Sequence, residues 1–383
     1  MDLELSESER AFQAEAREWL RANVPATPLP SLDSREGFAA HQAWEAKLAA
    51  ARYSVVSWPE EYGGRGASLI EWVIFEEEYY RAGAPGRVSQ NGIFLLSPII
   101  FDHGTDEQRA RFLPSMATGE KIWAQAWSEP EAGSDLASLR STARRDEERG
   151  GWLLNGQKTW SSRAAFAHWG FGLFRSDPDA QKHRGLTYFL FPLDSPGLTV
   201  RPIEQLDGRV GFAELFFDDV FVPDTDVLGG VGEGWQVAMS TAGNERGLSL
   251  RSPGRFCAAA DRLIDLWRSA GEPASFRDRV VDAWTRAEAY RLYTWNTVTR
   301  LAAGGDVGAA GSVNKVWWSE LDVALHETAL DLLGAAGIDR TGQGEDVALG
   351  PRALDLTGSP EQVERGLVQR DVELGPPHLV DGP

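Results

Sequence analysis

The sequence carries a single cysteine, Cys257, in 383 residues, so it cannot close an internal disulfide or build a cysteine-rich metal site. That thiol reads as a small core residue. Six histidines are scattered with no two at ligand spacing, which predicts no metal. No apolar run approaches the ~20 residues a membrane span needs. The opening Met1-Asp2-Leu3-Glu4 lacks the basic start and apolar stretch of a secretory signal, so a soluble, cytoplasmic protein is expected. Positive charge is also scarce: 38 Lys and Arg face 57 Asp and Glu, a net charge of −19. Nucleic acid and anionic membranes are thereby disfavoured, because both are held largely by Lys and Arg on phosphates. Any polyanionic ligand must be met by local basic groups working against the overall field.

What is present divides the chain into three parts. Residues 1–120 read as helical. Ser6 with Glu9 forms a capping box ahead of Phe12, Ala16, Trp19 and Leu20 at helical spacing, and Thr105 with Gln108 starts a second helix that Pro114 is expected to stop. Residues 121–232 change to period two, with strands expected at 121–127, 151–154, 169–174, 186–191 and 213–217. The breaks between them are Asn155-Gly156, Asp194-Ser195-Pro196-Gly197 and Asp207-Gly208. From 233 to 383 helical patterning returns. Ser275 is placed as the cap of a segment through Val280, Val281, Trp284, Ala287 and Arg291, and a further segment runs Leu321, Ala324, Leu325, Thr328, Ala329, Leu332. The fold class is α+β: a helical domain, a β-barrel domain, then helices. With no strand-helix-strand alternation, a doubly wound nucleotide fold is excluded.

Two segments carry chemistry. Gln125-Ala126-Trp127-Ser128-Glu129-Pro130-Glu131-Ala132-Gly133-Ser134-Asp135 reads as a strand ending in a turn where hydroxyls and backbone NH groups converge. That suits the edge of a heterocycle or a phosphate; a simple turn capped by Ser and Asp accounts for the residues equally well. Asn155-Gly156-Gln157-Lys158-Thr159-Trp160-Ser161-Ser162 places an indole and two hydroxyls at the end of a hairpin, where the ring can lie on a flat cofactor or simply fill core.

Taken together with Trp58-Pro59-Glu60-Glu61-Tyr62-Gly63-Gly64, in this order and spacing, these segments resemble the acyl-CoA dehydrogenase family, and the three-part layout matches along nearly the whole chain. The resemblance implies a C-terminal four-helix bundle, FAD bound between subunits, an acyl-CoA substrate and an electron-transfer flavoprotein or similar acceptor. It implies a homodimer or homotetramer, or a mixed oligomer. Gln125, Trp127, Ser128, Gly133, Ser134, Trp160, Ser162 and Gln362 would then contact FAD, with Ser134 also near the CoA.

The reaction it implies takes an α proton onto a carboxylate and sends the β hydride to flavin N5. Many members hold that carboxylate in a C-terminal Tyr-Glu-Gly-Thr stretch, but here the matching residues are Thr357-Gly358-Ser359-Pro360, with Gly358 in the glutamate's place. Other members carry the base on an earlier helix just before an arginine. Asn244-Glu245-Arg246 fits that pattern, so Glu245 becomes the base, Arg246 a partner for a CoA phosphate, and Gly358 a backbone NH to the thioester carbonyl. The family's Arg-x-x-Phe-Gly and Gly-Gly-x-Gly stretches are replaced by Arg268-Ser269-Ala270-Gly271 and Gly334-Ala335-Ala336-Gly337. A partner subunit completing the flavin site, or a flavin oxidase or monooxygenase on the same fold, are the alternative readings.

Overall fold

A computed structural model describes residues 3–205, 209–245, 252–305 and 310–334. Among these, the helices are α1 (Glu7–Asn23), α2 (Arg35–Ala50), α3 (Leu69–Arg81), α4 (Ser97–His103), α5 (Asp106–Ala117), α6 (Gly234–Glu245), α7 (Pro253–Ser269), α8 (Arg277–Ala302) and α9 (Ala310–Leu333). The strands are β1 (Trp123–Ala126), β2 (Thr142–Asp146), β3 (Gly151–Ser162), β4 (Trp169–Arg175), β5 (Leu186–Pro192), β6 (Leu198–Ile203), β7 (Phe212–Pro223) and β8 (Val227–Leu228). Helices, sheet and helices follow one another in the expected order. The described residues pack as two compact units, one drawn from Met1–Val24, Val73–Ala84 and Arg251–Pro383, the other from Pro25–Trp72 and Pro85–Leu250.

In the first unit the Ser6 capping box forms as expected: Glu9 N donates to Ser6 Oγ at 3.2 Å, and Ser6 N donates to the Glu9 carboxylate at 2.7 Å. α7, α8 and α9 share a core of Phe256, Leu263, Val280, Ala287, Tyr290, Leu321 and Leu325. Cys257 packs at its margin, partly buried. Two details differ from expectation. Ser275 lies in a short 3-10 turn, Ala274–Phe276, and α8 begins without a side-chain cap. Val281 and Trp284 face outward, at 54% and 43% exposure, while Ala283 and Tyr290 take the inner face. The family's last helix, which the resemblance would place at 362–370, falls outside the described residues.

Glu78 of α3 is nearly fully buried and accepts from Arg17 Nε at 2.8 Å, Arg17 Nη2 at 2.7 Å and Arg81 Nη1 at 2.6 Å. Burial alone would raise its carboxyl, but Arg17, Arg81 and Gln13 outweigh it and hold it below the ordinary 4.5. A carboxyl whose folded value is depressed contributes stability above its unfolded value and loses it as pH falls through the folded value. Glu78→Gln is therefore expected to lower stability at pH 7 by about 1 to 3 kcal/mol. The deficit should close as pH drops below 4.5. Thermal melts of parent and variant across pH 3 to 7 check this; a constant gap counts against the ion pair as its source.

In the second unit α5 opens with the expected Thr105–Gln108 box, yet it runs through Pro114 to Ala117. The proline stands in the last turn, where it costs one bond to the Ala110 carbonyl. Burial of Met116 and Ala117, together with Thr118 N donating to Pro114 O at 3.1 Å, holds the turn closed. The sheet runs β6-β7-β3-β2-β4-β5-β8, with β1 parallel on β4. Its core is aromatic, with Phe174, Phe189, Phe191 and Phe217 packed edge to face. β2, β6 and β8 were not anticipated, and β3 and β7 are longer than expected. Asn155-Gly156 is not a turn: β3 passes through it, slipping register against β7 between Leu154 and Gly156. Gly156 adopts φ +134°, and a Cβ there would fall 2.3 Å from Ser141 Oγ, so the glycine permits a bulge and a close approach of β2. Asp207-Gly208 lies outside the described residues. Among the described residues, no helix is long and apolar enough to cross a membrane.

Candidate active site

The two singled-out segments meet in the second unit. β1 ends at Ala126, after which Glu129 and Ala132 close a tight turn by exchanging backbone hydrogen bonds of 2.9 and 3.1 Å. β3 runs alongside: Thr159 N donates to Ser128 O at 2.9 Å, and Lys158 Nζ to Trp127 O at 3.4 Å. Gln125 sits half-buried in β1 opposite Phe171, Trp127 and Ser128 are half-buried beyond it, and Gly133 and Ser134 are exposed.

Trp160 is not at a hairpin end but inside β3, at a second slip of register between Lys158 and Ser161. Its backbone is left-handed, φ +59°, and its indole is 59% exposed, resting edge-on against Phe212 at 5.7 Å. A bulky residue in that region is strained by about 1 to 3 kcal/mol, and an exposed tryptophan does not repay it by burial. Such strain is concentrated at ligand clamps. The same slip turns Ser161 fully inward, where its hydroxyl finds no hydrogen-bond partner, and leaves Ser162 half-buried against Phe212 in β7.

Beneath these segments lies an ion pair. Lys158 is completely buried, and its ammonium donates to Glu129 Oε1 at 2.8 Å. Burial pulls it from 10.5 down to about 8, against the attraction of Glu129. For Glu129 burial acts upward, but the Lys158 charge and donors from Arg140 and Ser141 prevail and lower it. Both residues belong to the quoted segments, where no local pattern gives either a task. Only the register of β3 shows that they face one another.

α6 packs against β5. It buries Val237, Ala238 and Thr241. Thr241 Oγ1 stands 3.4 Å from the hydroxyl of Tyr188 in β5; burial raises that phenol far above its usual value. Glu245 is the last residue of α6, four positions beyond Thr241. Arg246, Gly358 and Gln362 lie outside the described residues. Among those described, no group of three or more His, Cys, Asp or Glu could hold a metal ion.

The residues present fit a flavin. An exposed indole on strained backbone offers a flat apolar face, and Ser134, Ser128 and Ser162 offer hydroxyls. At Gly133 a Cβ would meet nothing within 4 Å, so the glycine answers no packing need of the chain and leaves the backbone open to a ligand's approach.

The chain is similar along its length to known proteins. Residues 6–120, 124–220 and 232–373 match the N-terminal, middle and C-terminal domain models of acyl-CoA dehydrogenase. Acyl-CoA dehydrogenase IpdE1 of Mycolicibacterium smegmatis is 38% identical over 392 residues, covering 97% of this chain and 98% of that protein. Its namesake from Mycobacterium tuberculosis is 37% identical at the same coverage. Similar solved structures include the ChsE4-ChsE5 complex from Mycobacterium tuberculosis, with TM-score 0.78, 26% identity and 97% of each chain covered. A steroid ACAD, Tcur3481-Tcur3483, gives TM-score 0.77 at 25% identity, covering 98% of this chain and 100% of the other. With all three domains matched in order and relatives this similar along its length, the chain belongs to the acyl-CoA dehydrogenase family, oxidoreductases that use FAD to dehydrogenate acyl-CoA thioesters.

Proposed function

We propose that the chain forms the α,β double bond of an acyl-CoA with Glu245 as the base. The observation that carries this is the place of Glu245: it closes α6 one turn beyond Thr241, whose hydroxyl stands 3.4 Å from that of Tyr188 in β5. Bound FAD supplies the hydride acceptor. Gln125, Trp127, Ser128, Gly133, Ser134, Trp160, Ser162 and Gln362 are the residues proposed to hold it. The carboxylate of Glu245 takes the α proton, and burial by an acyl chain would raise its basicity toward that task. The backbone NH of Gly358 is assigned to the thioester carbonyl, where a donor lowers the acidity barrier at the α carbon. Arg246 is assigned to a CoA phosphate, supplying the local positive charge that a −19 chain otherwise lacks.

For the acyl group, the likeness to a steroid ACAD supports a ring-bearing rather than a long linear chain. The likeness to a two-protein complex supports a mixed oligomer. Arg268 adds to that: it stands at the end of α7, 3.6 Å from Asp265, in a stretch without the family's Phe-Gly, so a different subunit is proposed to complete the pyrophosphate contact. Anaerobic titration of the yellow protein with linear and steroid-derived acyl-CoA thioesters tests the reading. Bleaching by the steroid thioester at the lower concentration is expected; bleaching by linear thioesters alone would reject the ring-bearing substrate, and no bleaching by any would favour a partner subunit.

A further inference from the structure

We infer that Lys158 and Glu129 form a buried positioning pair that sets Trp127 and Ser128 against Trp160 and Ser162, and so fixes the shape of the flavin site. The inference rests on the FAD reading above. Glu129 gathers three donors: Lys158 Nζ at 2.8 Å, Ser141 N at 2.9 Å and Arg140 N at 2.6 Å. It therefore ties the 127–132 turn both to β3 and to the entry of β2. Lys158 in turn holds the Trp127 carbonyl at 3.4 Å and lies 4.9 Å from the Phe174 ring centroid, which leaves its ammonium no route to water.

Its position in the strand is what gives the pair a task beyond packing. Lys158 is the last residue of β3 in register with β7, opposite Leu215, before the slip that throws Trp160 outward. A contact made here fixes where the strained segment begins. Stability alone is a poor reason for such a pair, because a buried ion pair is often no better than apolar residues of the same volume. Its return is a single geometry: two segments joined by residues 29 apart in sequence cannot slide while both charges need each other.

Two variants separate positioning from folding. Glu129→Gln keeps shape and acceptor but removes the charge. Lys158 can then shed its proton, since burial already brings it down to about 8, so no buried charge is left alone and the variant is expected to fold. Lys158→Met combined with Glu129→Gln removes both charges. Each is stripped of flavin and reconstituted with FAD, alongside the parent. The expected result is an FAD Kd raised about tenfold or more in both variants, with altered visible circular dichroism of the bound flavin and unchanged far-ultraviolet circular dichroism. Parent-like Kd and visible spectrum in either folded variant would overturn the positioning role and leave the FAD site standing. A parent that binds no FAD would overturn both.

Discussion

Glu245→Gln is expected to slow anaerobic flavin reduction by acyl-CoA about 10²- to 10⁴-fold, the usual consequence of removing a general base. FAD content and acyl-CoA affinity should stay near the parent's, because glutamine keeps the volume and hydrogen-bonding reach of glutamate and loses only the proton acceptor. The position matters as much as the residue. α6 is anchored upstream of Glu245 by Val237, Ala238 and Thr241, all buried. Binding and folding thus serve as internal controls on the rate.

A second change sharpens the test. Gly358→Glu on the Glu245→Gln background restores a carboxylate where many relatives of this chain carry theirs. Partial recovery of single-turnover reduction would place both positions at the same substrate carbon. If Glu245→Gln alone reduces flavin within a few-fold of the parent, the base lies elsewhere, and the partner-subunit or monooxygenase reading moves forward.

How far the sequence could be read varied with the kind of signal. Signals that need only a few neighbouring residues were legible: the Ser6 and Thr105 capping boxes form as expected, as does the switch from period 3.6 to period 2 near residue 121. Signals with two physical uses misled. A proline beyond the first turn costs a helix one backbone bond and a steric contact but does not forbid it where packing holds the turn, so Pro114 did not end α5. A glycine after asparagine serves a hairpin turn and a bulge alike, and only the partner strand decides between them; at Gly156 β7 and Ser141 made it a bulge. Exposure of Trp160 was beyond reach for the same reason, since fifteen tryptophans look alike until register assigns each a face. The Glu129–Lys158 pair joins positions 29 residues apart, which no local pattern can couple.

The second large effect concerns Trp160, where affinity and stability should move in opposite directions. Trp160→Gly removes the proposed stacking face, and stacking of a flat heterocycle on an aromatic side chain contributes about 1 to 3 kcal/mol, so the FAD Kd should rise roughly ten- to a hundredfold. Stability should hold or increase. The parent pays for a left-handed tryptophan at φ +59°, a conformation glycine adopts freely, and the indole that is lost was 59% exposed, with one edge contact to Phe212 to set against the relief. Trp160→Ala is the companion variant: it loses the same ring but keeps a Cβ in the strained conformation, so it should bind FAD as poorly as the glycine variant and melt below it. Equilibrium titration with FAD and thermal melts of the two apoproteins give both numbers. Strained backbone kept for a ligand predicts weaker binding with equal or higher melting temperature; a glycine variant that melts several degrees below the parent while binding FAD normally would make Trp160 a structural residue and remove the indole from the flavin site.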